Sequence, residues 1–196
     1  MLGNRYVQAG LNRTDISKIL KSLFTILFYL MITVLKAQDT TFFSNGRPEK
    51  ILVFDRNNQK TGTWIWYNEN GDTSSLKLHD EKGNIKEWRQ YFPSGKIRFI
   101  IISQNNIPTS QKMFYENGQL DYILNYDSTG AKTGEWKQYY QNGQLYEVGS
   151  YKRGEEVGEW RRYHQNGQIA EVGKYENGLE VGEWKYYDKS GKLKSR

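Results

Sequence analysis

The sequence predicts an all-β protein: an elongated antiparallel meander of about six 24-residue β-hairpin repeats in a twisted sheet, preceded by an N-terminal signal helix. Three observations carry that reading. Trp64 and Trp88 stand 24 residues apart, and so do Trp136, Trp160 and Trp184. Glycines preceded by Asn or Ser recur at 46, 71, 95, 118, 143, 167 and 191, at intervals of 23 to 25 residues. The flanking segments are rich in Trp, Tyr, Val, Ile and Leu, which suit a pleated surface, and nothing after residue 38 has a helical period.

The first element is a leader. Ser22 to Leu35 reads SLFTILFYLMITVL, 14 residues without a charge, with Lys18 and Lys21 before it and Lys36-Ala37-Gln38 after it. A basic flank, an apolar core of this size and a small residue at the exit describe a secretory signal peptide, with cleavage expected after Ala37. A retained membrane anchor is the weaker alternative, because spanning takes roughly 17–25 apolar residues. The expected organisation is a signal peptide over 1–37 with its apolar core at 22–35, an N-terminal capping half-repeat over 38–61, and hairpin repeats over 62–196. The expected location is secreted, periplasmic or cell-envelope.

The leader also explains the charge. The chain has 196 residues, 28 basic and 22 acidic, for a net +6. Removing 1–37 takes Arg5, Arg13, Lys18, Lys21, Lys36 and Asp15, leaving 23 basic and 21 acidic residues. A near-neutral mature chain without a basic arm lacks the footprint of a nucleic-acid binder. A mean hydropathy of −0.83 excludes a polytopic membrane protein, so the mature chain is expected not to span a membrane. No cysteine means no disulfide framework and no thiolate metal site.

Each repeat reads as a hairpin. Asn-Gly at 117–118, 142–143 and 166–167 is a strong hairpin signal, and predicts type I′ turns with positive φ at both residues. Asn45-Gly46 and Asn70-Gly71 repeat it, while Ser94-Gly95 and Ser190-Gly191 are weaker versions. In one unit a strand over 135–140 leads through its turn to a return strand over 144–151. Alternation places Trp160, Arg162 and His164 on one side, Arg161 and Tyr163 on the other, so both faces mix aromatic and polar residues. Gly149 and Gly173 fall inside strands, where glycine costs stability unless an adjacent aromatic ring lies over it. In one copy Gln111 replaces Trp and Phe114 replaces Tyr, and Lys86 replaces the glycine ahead of Trp88, which predicts irregular packing over 85–115. The last return strand, from Gly191, is short and basic, which blunts the edge.

The pattern Gly-x-Trp-x-x-Tyr, then Asn-Gly, an aliphatic, and Tyr-x-x-Gly resembles the MORN repeat in its bacterial variant form. It is carried by Gly134, Trp136, Tyr139, Asn142-Gly143, Leu145, Tyr151 and Gly154, and again by Gly158, Trp160, Tyr163, Asn166-Gly167, Ile169, Tyr175 and Gly178. The resemblance covers roughly 45–196 and implies a protein-binding or scaffolding role. Bacterial proteins of this look include YwqK-type antitoxin components, which implies a toxin as partner.

The residues offer little chemistry. His79 and His164 sit in unrelated contexts, without metal-ligand spacing, and no nucleophile elbow or phosphate loop is present. No catalytic residue, metal or cofactor is therefore expected, and the chain reads as not an enzyme. Glu87, Glu135, Glu159 and Glu183 each precede a Trp and pair with Arg89, Lys137, Arg161 and Lys185 as a surface charge ladder. The candidate binding residues are the aromatic stripe: Trp64, Trp88, Trp136, Trp160, Trp184, Tyr139, Tyr163 and Tyr187. Either these rings are the core of a thin fold, the heavier reading, or some face solvent and anchor a protein partner such as an envelope component or toxin. A cell-surface glycan stacked on them is the alternative.

Overall fold

The computed structural model describes residues 37–194. The expected signal helix and the apolar stretch 22–35 lie outside them. The described chain is one open antiparallel sheet of 13 strands in sequential order. The strands are β1 (Ala37–Phe42), β2 (Pro48–Phe54), β3 (Gly62–Tyr67), β4 (Thr73–His79), β5 (Ile85–Tyr91), β6 (Ile97–Gln104) and β7 (Ile107–Phe114). They continue as β8 (Leu120–Tyr126), β9 (Lys132–Tyr139), β10 (Leu145–Lys152), β11 (Glu155–Tyr163), β12 (Ile169–Glu176) and β13 (Leu179–Tyr186). The segment read as a half-repeat supplies the first two strands, paired from Ala37↔Phe54 to Phe42↔Pro48. After β13, Leu193 makes a single bridge back to Tyr187.

The Asn-Gly turns differ from expectation. Gly118, Gly143 and Gly167 have φ of +92, +85 and +83, but the asparagines before them are not in the left-handed region. Tyr140 O accepts from Gly143 N at 2.8 Å, and Tyr140 N donates to Gln144 O at 2.7 Å. This is a three-residue loop, a turn closed by one left-handed glycine, rather than type I′. Ser94-Gly95 and Ser190-Gly191 form the same loop, and where asparagine is present its side chain adds bonds to it. Asn117 Oδ1 accepts from Gln119 N at 3.0 Å, which fixes the loop locally. Its Nδ2 donates to Gln141 O at 2.8 Å, one unit onward. Asn45 and Asn166 repeat the outward bond to Glu69 O at 3.0 Å and Lys189 O at 2.6 Å. Turns with two positive φ values do occur at the opposite end of the sheet, at Asn105-Asn106, Arg153-Gly154 and Asn177-Gly178.

The Gly-x-Trp motif has its own cause. Gly62, Gly134, Gly158 and Gly182 take φ of +60 to +74. At each of the last three the register slips: Ser150 pairs with Val157 but Val148 with Arg161, so a step of two residues on β10 spans four on β11. β8–β9 and β12–β13 slip in the same way. The bulge swings the following Trp back over the preceding strand. A Cβ built on Gly149 would lie 2.1 Å from Trp160 Cδ2, and one on Gly173 would lie 2.0 Å from Trp184 Cδ2. Both interior glycines thus sit under an indole, as their positions implied.

The stretch expected to be irregular is continuously paired. Where Lys86 and Thr109 replace the glycine, the slip shrinks to one extra residue. At the missing Trp, Gln111 Nε2 donates to Tyr122 Oη at 2.9 Å and Gln111 Oε1 accepts from Tyr126 Oη at 2.8 Å. An amide bridging two phenols takes over the role of a ring.

Burial is one-sided. The buried residues Trp64, Leu124, Trp160, Trp184, His79 and Glu147 all lie on the Trp face, and no described side chain is fully enclosed. Tyr122, Trp136, Tyr151, Trp160, Tyr175 and Trp184 run across β8–β13 with successive ring centroids 5.0–6.1 Å apart. That spacing favours aromatic pairs. This ladder replaces the second layer that a sheet normally needs.

The same burial raises the Tyr122, Tyr151 and Tyr175 hydroxyls above the ordinary tyrosine value of 10.0, with burial the leading cause in each. A raised folded-state value means that the stabilising difference is complete below 10.0 and is lost as pH rises past it. Thermal melts from about pH 8 to 11 are therefore expected to fall above pH 10, with a shallower fall in Tyr151→Phe. An unchanged slope in that variant would count against the account.

Candidate binding face

The face opposite the ladder carries a repeated pattern of its own. One register row runs unbroken from β2 to β13: Ile51, Ile65, Leu76, Arg89, Ile100, Lys112, Ile123, Lys137, Val148, Arg161, Val172, Lys185. From Leu76 onward it alternates aliphatic and cationic. None of these residues is buried. The alternation lets the stems of Arg and Lys lie along their aliphatic neighbours while the charged ends reach water.

Alternation along each first strand adds a second pattern on this face. Glu87-Arg89-Tyr91, Glu135-Lys137-Tyr139, Glu159-Arg161-Tyr163 and Glu183-Lys185-Tyr187 occur as the same triplet in four units. Arg89 pairs with Glu87, and Arg161 with Glu159. Lys137 Nζ lies 2.8 Å from Glu135 Oε2, and that hydrogen bond holds the ammonium above its usual range. At the C-terminal end a shallow groove brings Glu159, Val172, Lys174, Glu183, Lys185 and Tyr187 together. Such exposed pairs contribute little to stability.

The eight aromatic candidates divide between the faces. Trp64, Trp160 and Trp184 are buried on the ladder side, at 9%, 4% and 7% exposure. Trp88 and Trp136 are half-buried on that side. Tyr139, Tyr163 and Tyr187 are half-buried on the open face, beside the cations. Trp136 differs from its neighbours in holding Glu147 Oε2 through Nε1 at 2.8 Å. Glu147 Oε1 also accepts from Arg162 Nε at 2.6 Å, and Arg162 donates onward to Glu171 Oε2 at 2.8 Å. Spacing along the sequence gave no sign of this partly buried Glu147–Arg162–Glu171 chain. The two histidines are at opposite ends of the sheet: His79 packs on Trp64, and His164 Nε2 lies 3.0 Å from Tyr187 O.

Five segments, 86–105, 110–128, 132–153, 156–177 and 180–196, match the model of the MORN repeat variant. The chain belongs to the MORN repeat variant family. Four of the matched segments each span one hairpin, and the fifth begins on β13, so the MORN unit is a first strand plus its return. The strands β1 to β4 precede the matched segments, yet continue the same sheet. No curated protein matches the chain. Among solved structures, a TarM mutant from S. aureus in complex with Fondaparinux, alpha-GlcNAc-glycerol and UDP is 13% identical, with a TM-score of 0.24, covering 80% of this chain and 23% of that one. A second TarM structure gives the same values. A TcdB2-TccC3-Cdc42 structure is 12% identical, with a TM-score of 0.24, covering 81% of this chain and 12% of that one. The MORN chain thus spans under a quarter of the TarM chains that it matches.

Proposed function

We propose that this MORN-variant chain is an exported, non-catalytic binding module that holds another protein along its open face. What supports the reading most is the four-fold display of Glu, a cation and Tyr in one order, on a face that the chain's own tryptophans do not cover. A repeated surface of mixed charge with aromatic anchors suits a protein partner more than a single reacting centre, which needs a pocket unlike its neighbours. The basic and apolar residues ahead of Ala37 support export to the periplasm, envelope or medium.

Lys137→Glu, Arg161→Glu and Lys185→Glu together reverse three of the row's five cations without touching the Trp face. An envelope protein that co-purifies stoichiometrically with the full chain is expected to be lost from this variant at an unchanged melting temperature. Equal recovery with both proteins would refute the open face as the contact surface. The same comparison covers a toxin partner. A polysaccharide is the second reading, because Tyr139, Tyr163 and Tyr187 recur on every second strand, roughly 10 Å apart. It requires envelope polysaccharide to bind the wild type and to be lost in Tyr139→Ala/Tyr163→Ala.

A further inference from the structure

The N-terminal hairpin β1–β2 joins the rest of the sheet through its sparsest junction. Lys50↔Trp66 and Ile51↔Ile65 are the ladder pairs between β2 and β3, whereas β1 and β2 share six. Beyond them Phe54 makes one further bridge, to Lys60, and the side-chain attachment centres on Trp64. Its Nε1 donates to Val53 O at 2.8 Å, and its ring lies 5.2 Å from that of Phe54. Thr61 N adds a bond to Val53 O at 3.0 Å. Asn45 and Arg47 reach the carbonyls of Glu69 and Asn70 at the far end.

Trp64 in turn rests on His79, with ring centroids 4.7 Å apart. His79 is 6% exposed, and its Nδ1 is buried without a hydrogen-bond partner. Charged groups surround it from each neighbouring element. Lys60, ahead of β3, holds its Nζ 5.2 Å from the Trp64 ring. Lys77, on the same strand as His79, sits 5.4 Å from the Trp66 ring and 4.7 Å from the Trp88 ring. On the β5 side Ile85 pairs with His79, and Glu81, Lys82 and Lys86 line the adjoining recess. Asp80 is the adjacent carboxylate, and both its oxygens are engaged by Lys82 N, Asn84 N and Asn84 Nδ2.

We propose that His79 is an acid-sensitive latch, whose protonation under Trp64 releases the β1–β2 hairpin while the later strands stay paired. The physical case is a charge added to a 6% exposed ring whose Nδ1 has no partner, with Lys60 and Lys77 repelling it and the nearby carboxylate committed to its own turn. Burial first, and then Lys60 and Lys77, hold the imidazole below its ordinary 6.5, against an opposing bond to the Gly62 backbone and the pull of Asp80. A depressed folded-state value means that the stabilising difference is present above 6.5 and is lost as pH falls below it. The loss falls on β1–β2 because the junction beneath it is the thinnest.

Hydrogen exchange on the full chain, corrected for intrinsic rates, tests this at about pH 7.5 and 5, where the change in protection is bounded at about thirtyfold because pH 5 lies about 1.5 units below the unfolded value. Residues 37–54 are expected to lose protection at the lower pH while 132–176 keep theirs, and His79→Phe should abolish the difference. Uniform protection, or the same opening in His79→Phe, overturns the latch. Should that variant fail to fold, the wild-type imidazole titration decides, with His164→Gln used for assignment. A midpoint at or above 6.5 for His79 overturns the proposal, and one below it supports it.

Discussion

Gly149→Ala and Gly173→Ala are each expected to destabilise the protein by about 3 kcal/mol, the upper part of the range for overpacked sites. The added methyl would fall 2.1 Å from Trp160 Cδ2 in the first case and 2.0 Å from Trp184 Cδ2 in the second. Neither ring can retreat easily. Trp160 is held between Tyr151 and Tyr175, with centroids at 5.3 and 5.8 Å. It is also delivered by the bulge at Gly158, whose backbone would have to shift with it. Trp160→Ala is expected to cost about 3–5 kcal/mol alone, the usual scale for removing a buried large aromatic side chain. The two substitutions share one contact, so they should not add. In the Trp160→Ala background, Gly149→Ala is expected to be neutral or to stabilise by up to about 1 kcal/mol, since Gly149 is not left-handed and the methyl then only reduces the freedom of the unfolded chain. Urea unfolding of the four proteins gives the coupling directly. A Gly149→Ala penalty that is the same in both backgrounds would mean that the indole is not why glycine stands there.

Arg162→Ala is the second large effect, expected at about 2–4 kcal/mol near neutral pH. Arg162 bridges Glu147 and Glu171, whose side chains are only 12% and 15% exposed. Removing the cation leaves two mostly buried carboxylates facing each other, and that uncompensated charge is the expensive part. Arg162 is itself 37% exposed, so solvent screening keeps the estimate below the fully buried case. A companion variant isolates the cause. Arg162→Met with Glu147→Gln and Glu171→Gln carries no charge at these positions, and the amide oxygen introduced at position 147 can still accept from Trp136 Nε1. It should recover most of the lost stability, because uncharged groups of similar shape fill the same space. If it unfolds as readily as Arg162→Ala, the network acts through the packing of the guanidinium and not through charge. Comparison of urea midpoints at matched slopes makes that distinction.

The 24-residue spacing of Trp160 and Trp184 was enough for strand order, because units that recur at one interval can bury their faces only on their neighbours. Gly149 and Gly173 were legible as sites of close approach for the same reason: an interior glycine in a strand needs an explanation, and aromatic residues abound. The turn type was not legible. Asn-Gly favours type I′ when its residues are considered alone, but Asn117 and Asn166 spend their amides on the next unit, a partner 23–24 residues away. The dipeptide that does take positive φ at both residues, Asn177-Gly178, stands at the other end of the hairpin.

The face assignment shows the same division. Alternation placed Arg161 opposite Trp160, and the Glu–cation pairs at 87/89, 135/137 and 159/161 were readable from spacing alone. The row joining Arg161 to Val148 and Val172 was not readable, because it depends on register. Register across β10–β11 is set by a slip of two residues at Gly158 that no local pattern states. The same slip brings Glu147 opposite Arg162 and so creates the partly buried ion chain. By itself, then, the sequence determined the class, the order of the strands and the residues that each strand offers to its two sides. Which side the indoles cover, and which they leave open, was decided in three dimensions. Left-handed glycines bend successive strands, the bends lay the indoles over Gly149 and Gly173, and the face without indoles remains at the surface.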